Sequence, residues 1–176
     1  MSVDLHTHST FSDGTLTPTA LVDLAVAQGL SALALTDHDT LEGVPEALDR
    51  GRQRGITVIP GLEIGCLHKG ISYHILGYWI DHRHSALHQR LDKLQQSRTE
   101  RNRLILEALR RLGIDIDEQE VRRISQCGQT GRPHIASLLV EKGIVADPDQ
   151  AFKRFLRSGA AAMSPDSYTV PKRPSP

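Results

Sequence analysis

Ser31-Ala32-Leu33-Ala34-Leu35-Thr36, running straight into Asp37-His38-Asp39, is a short, mostly apolar stretch that stops in three titratable side chains. A run of this length between helical patterns predicts a buried parallel strand. Before it, Thr17-Pro18-Thr19 opens a helix, with Thr17 as N-cap and Pro18 at the first helical position. Leu21, Leu24 and Ala25 supply that helix's apolar face, and Gly29 stops it. After it, a helix from about Leu41 to Arg54 stops at Gly55, and Ile56 to Ile59 makes another strand. Val3 to His6 is the first strand. The order β-α-β-α-β predicts an α/β fold with right-handed crossovers and parallel strands.

In such folds sites form at the carboxyl ends of the strands. The polar clusters fall there. His6 and His8 are two apart on a strand, so their side chains share a face, and Asp13 follows in the next loop. Asp37 and His38 end the second strand, and Gly61-Leu62-Glu63-Ile64 follows the third. Same-face imidazoles with nearby carboxylates suit the ligand shell of a divalent metal. From Ile64 to Ile80 the pattern predicts a hairpin turning at His68-Lys69-Gly70, with Ile71 to Tyr78 returning. His74 lies in that apolar strand. In isolation it reads as a hydrogen-bonded core histidine; beside three strand-end clusters it reads as a further ligand.

His82, His84 and His88 lie on a polar segment and read as solvated. They surround the start of a long helix ending near Gly113, on which Leu87, Leu91, Leu94, Ile105, Ala108 and Leu112 form one apolar stripe. Arg98 and Arg101 occupy stripe positions, where an arginine needs an anionic partner, and they read as phosphate contacts. Arg103, Arg110 and Arg111 read as solvated. Further helices are expected at 117–124, 132–142 and 148–157. Gly131-Arg132-Pro133-His134 sets Arg and His at a helix start, which attracts anions; an ordinary glycine-led helix start is the alternative. Three prolines among the last six residues predict a disordered tail. The expected organisation is a metal-binding part at 1–80, a helical region at 81–160 and a tail at 161–176.

Composition narrows the function classes. The 176 residues are 39% hydrophobic and 24% charged, which suits a globular chain with a real core. Lys+Arg and Asp+Glu both number 21, so no global field favours a membrane surface or the DNA grooves, and neither partner is expected. Aromatic residues are 4%, so the core must be aliphatic. Cys66 and Cys127 are far apart and form no CxxC pair, which argues against a thiolate metal site and suits a reducing cytosol. Strand and histidines begin at once, leaving no room for a signal peptide, and a cytoplasmic location is expected.

DLHTHS at 4–9, SDGTLTP at 12–18, LTDHD at 35–39, GLE at 61–63 and HILGY at 74–78, taken together, resemble the PHP (polymerase and histidinol phosphatase) family. RxxRNR at 98–103 and GRPH at 131–134 resemble its branch of nucleoside 3′,5′-bisphosphate phosphatases, which also trim short RNAs from the 5′ end. The resemblance implies a distorted (β/α)7 barrel, here incomplete and carrying a helical insertion. It implies up to three divalent ions, often manganese, with zinc, iron(II) and magnesium as the alternatives. By motif, His6 and His8 would bind one ion, Glu63 would bridge it to a second held by His74, and Asp13 and His38 would hold a third. Arg132 and His134, with Arg98, would hold substrate phosphate.

Members of this branch are longer and supply a further histidine and a late Asp-x-His, for which this chain has no counterpart after His134. A truncated or frameshifted product, or one completed by another chain, is therefore the expectation, with an open sheet edge. The implied function is phosphate hydrolysis from small nucleotides or short RNA ends. The competing expectations are a catalytically impaired metal-binding fragment and a histidinol-phosphatase-like enzyme.

Overall fold

The computed structural model describes residues 2–69, 71–125, 130–157 and 159–163. Its contacts divide the chain into two units, residues 1–92 and 93–176.

The first unit is a mixed α/β layer. Its elements are β1 (Ser2–Thr7), α1 (Pro18–Ala27), β2 (Leu30–Leu35), α2 (Val44–Arg54), β3 (Thr57–His68) and β4 (Ile71–Tyr78), with α3 (Ser85–Arg111) beginning in this unit. The sheet order is β1-β2-β3-β4. β1 pairs parallel with β2, and β2 parallel with β3 from Ala32↔Thr57 to Leu35↔Pro60. β3 then pairs antiparallel with β4, from Gly61↔Tyr78 to His68↔Ile71. One continuous strand thus serves two ladders and changes partner at Pro60-Gly61. The expected short strand at 56–59, with Gly61-Leu62-Glu63-Ile64 following its end, is corrected here to Thr57–His68. Proline removes one donor without ending an extended chain, and Gly61 lets β3 pass close to β2. A Cβ at Gly61 would lie 2.7 Å from Thr36 Cγ2 and 2.8 Å from the Leu35 carbonyl oxygen.

The local signals for the helices hold. Thr17 Oγ1 accepts from Ala20 N at 3.2 Å, and Gly29 adopts a left-handed φ of 74° after α1. α2 begins at Val44 and not at Leu41, because Pro45 is tolerated only in the first helical turn. α1 packs on β2 and α2 on β3, and Val22, Ala25, Val44 and Ala47 of the helices and Leu33, Ala34, Leu35, Val58 and Leu62 of the sheet are buried. Among the described residues β1 has a strand partner on one side only, and Val3 and Leu5 are exposed on it. The Tyr78 hydroxyl donates to the Leu5 carbonyl at 2.9 Å. That bond joins the first strand to the fourth, so the sheet is curled.

The second unit is helical. Beyond the remainder of α3 it contains α4 (Glu118–Ser125), α5 (Arg132–Glu141) and α6 (Pro148–Ala151), which continues into a π-helical turn at Phe152–Leu156. Its core joins Ile105, Leu109, Ile116, Ile135, Leu138, Leu139 and Leu156, all essentially inaccessible to solvent. Leu112 departs from the expected buried stripe: it is exposed, because α3 ends at Arg111 and the chain turns through Gly113. Ala162 and Met163 belong to this core; the remainder of the expected tail, residues 164–176, lies outside the described residues. Among the described residues no helix is long and apolar enough to cross a membrane.

Candidate metal centre

Glu63 is where the side chains of the first unit converge. It lies midway along β3 with its side chain 1% exposed. Its backbone N–H donates to the Asp37 carbonyl at 3.1 Å, and its carbonyl accepts from Asp39 N at 3.0 Å. This isolated parallel bridge carries the β2–β3 register past the end of β2 and sets His38 beside Glu63.

The two carboxylate oxygens face different partners. Oε2 stands 2.8 Å from His6 Nε2, 3.0 Å from His8 Nε2 and 3.8 Å from His38 Nε2. Oε1 meets His74 Nδ1 from the adjacent strand β4. Asp13 approaches from the loop after β1, with Oδ1 3.7 Å from His8 Nδ1 and Oδ2 3.6 Å from His38 Nε2. The rings of His8 and His38 stack with centroids 4.8 Å apart. Burial pushes the Glu63 carboxyl up. The hydrogen bond from His6 and the charge of His38 and His74 outweigh that and hold it below the usual glutamate range.

This donor set fits divalent cations. Two ligand atoms about 2.1 Å from one ion stand about 3.0–3.4 Å apart at right or tetrahedral angles. The approaches of His6 and His8 to Glu63 Oε2 have nearly that spacing. Three groups could each hold an ion: His6 with His8 and Glu63, His8 with Asp13 and His38, and His38 with Glu63 and His74. All six expected ligand residues therefore meet in one place. His82, His84 and His88 join none of these groups among the described residues; His88 Nε2 instead contacts the His82 carbonyl oxygen at 2.7 Å.

Arg98, Arg132 and His134 lie in the second unit. His134 is buried, and its Nδ1 accepts from Gly131 N at 2.9 Å, which caps the start of α5. Arg132 Nη1 donates to the Leu156 carbonyl at 3.2 Å, and its guanidinium lies 6.0 Å from the Phe152 ring centre. Arg98 is half-buried on α3.

The sequence reading passed over Ser9 and Ser12 and gave Asp37 no task of its own. Asp37 is buried and accepts from Ser9 N, Ser9 Oγ and Ser12 Oγ at 2.6–2.7 Å. The available signal was two serines between His8 and Asp13, and an aspartate directly before His38.

Known proteins resemble this chain in sequence and fold. A 5′-3′ exoribonuclease of Haemophilus influenzae is 40% identical over 159 residues, 90% of this chain and 58% of that protein. A 3′,5′-nucleoside bisphosphate phosphatase of Chromobacterium violaceum is 36% identical over 159 residues, 90% of this chain and 56% of its own length. Among solved structures, an amidohydrolase from Chromobacterium violaceum with bound sulfate and no metal matches with a TM-score of 0.85 at 35% identity, over 92% of this chain and 57% of that one. This chain thus spans 56–58% of the length of these relatives. The PHP domain model matches residues 4–141. With that match added to the converging histidines and carboxylates, the chain belongs to the PHP domain family.

Proposed function

We propose that the chain carries the metal-binding part of a phosphoesterase that releases phosphate from small nucleotides, nucleoside 3′,5′-bisphosphates above all, or acts at the 5′ end of short RNA. The observation that carries this reading is Glu63 presenting separate oxygens to histidines from different elements. The named activities of the relatives agree with it. The curled sheet is read as part of a distorted (β/α)7 barrel. Manganese is the ion expected, and the cytoplasm the setting, in keeping with two cysteines remote in sequence.

Divalent cations held here would supply Lewis acidity, activating water near neutral pH and neutralising charge on the phosphoryl oxygens. The chain's own residues orient and hold. His6 and His8 would grip one ion, Glu63 would bridge it to a second with His74, and Asp13 and His38 would take a third. Arg132, His134 and Arg98 are assigned to substrate phosphate, where a guanidinium and a helix start match phosphate oxygens. In Arg132 and His134 that task competes with the intramolecular bonds already described.

Mn²⁺ added to the metal-free chain should give phosphate release from a nucleoside 3′,5′-bisphosphate, and Glu63→Ala should abolish it. The half exposure of the ligand side chains, 51% for His6 and 47% for His74, favours a second reading, in which the chain binds metal without turnover. Bound Mn²⁺ with no phosphate released across a panel of phosphoesters would establish that reading instead.

A further inference from the structure

Asp37 is 1% exposed, yet it belongs to none of the three candidate metal groups. A buried carboxylate is costly unless its oxygens are filled by donors. Here every described donor to it comes from one short loop. Oδ1 accepts from Ser9 N at 2.7 Å and from Ser12 Oγ at 2.6 Å, and Oδ2 accepts from Ser9 Oγ at 2.6 Å. That loop begins at His8 and ends at Asp13, both candidate ligands. The Asp37 carbonyl also receives the Glu63 N–H, and the next residue is His38. Four ligand residues from three stretches of chain are thus tied to this one residue.

Ser12 adds a direction. Its hydroxyl has a single proton, and the closest acceptor is Asp37. Its oxygen lies 3.4 Å from His8 Nδ1, so with the proton spent on Asp37 it can accept from Nδ1–H. A histidine protonated at Nδ1 has its lone pair on Nε2, the atom that faces Glu63 at 3.0 Å. Hydrogen bonds of this outer kind orient metal-ligating histidines and select their tautomer.

We propose that Asp37 is a positioning residue of the metal centre, acting through Ser9 and Ser12 to turn His8 Nε2 toward Glu63 and the Asp13 carboxylate toward His38. The inference rests on the reading that this unit holds divalent cations.

The test is Mn²⁺ binding by the metal-free 176-residue chain, followed by the paramagnetic signal of the free ion. Asp37→Ala and Ser12→Ala should each weaken binding by about tenfold to a hundredfold. The double variant should lose no more than Asp37→Ala alone, because both act along one path. Asp37→Asn should restore most of the affinity, since an amide oxygen can accept from Ser9 N and Ser12 while the amide nitrogen donates to Ser9 Oγ. Ser12→Ala, with its small change in packing, decides the matter if Asp37→Ala fails to fold. A change below about twofold in folded Ser12→Ala overturns the proposal, as do losses that add in full in the double variant. A wild-type chain that takes up no Mn²⁺ overturns the metal reading and this proposal together. That result is measured separately, so the two failures are distinguishable.

Discussion

Glu63 is suited to a cation by where its charge sits. A carboxylate buried within a strand would ordinarily gain a proton, but the surrounding imidazoles keep this one ionised. Its folded pKa is lowered, so its stabilising contribution is complete above the ordinary glutamate value of about 4.3 and is lost as pH falls through the lowered folded value. In metal-free protein, wild type should therefore exceed Glu63→Gln in stability by a margin that is present at about pH 5 and narrows as the pH falls below about 4.3. Urea denaturation of both proteins at those pH values checks the sign. At the same scale, Gly14 holds the loop that presents Asp13, since a Cβ there would overlap the His8 carbonyl. Histidines and acids at strand ends could be read from their spacing. The direction in which each carboxylate oxygen points could not, because it depends on partners up to 57 residues away.

The elements show which local rules govern. Asp117 and Glu120 bond reciprocally before α4, Glu120 N to Asp117 Oδ1 at 2.8 Å and Asp117 N to Glu120 Oε2 at 3.0 Å. These bonds satisfy donors that a helix start leaves open. Asp117→Ala should cost about 1 kcal/mol of stability, measured by thermal or urea unfolding, with Mn²⁺ affinity unchanged. The helix expected at 117–124 begins one residue later because Asp117 is its cap. Helix limits set by Thr17, Gly29, Gly55 and Gly113 were legible, since caps and left-handed glycines act within a turn of the chain. β3 was not. Pro60-Gly61 has the composition of a break, and only the arrival of β4 as a second partner makes it the point where one strand passes between ladders.

At the scale of the molecule, all six candidate ligand residues lie in the first of the two units. A ligand that binds only the folded state stabilises it by mass action, about 2.7 kcal/mol at a free concentration near 100 times Kd. Mn²⁺ should therefore raise the melting temperature, and a chelator should reverse the rise. Amide exchange should slow chiefly within residues 1–92. Exchange slowed equally over both units, or not at all, would contradict that placement.

The sequence alone determined the alternation of strand and helix, the aliphatic core and the recurrence of histidines and acids after the apolar runs. Each of these is written in a repeat or cap a few residues long. The tertiary structure decided that Glu63 lies inside a strand and faces histidines on two sides, and that Asp37 turns toward Ser9 and Ser12. It also decided that the sheet curls until Tyr78 reaches β1. These features depend on strand register and on burial between segments far apart in the chain, and no local periodicity encodes either.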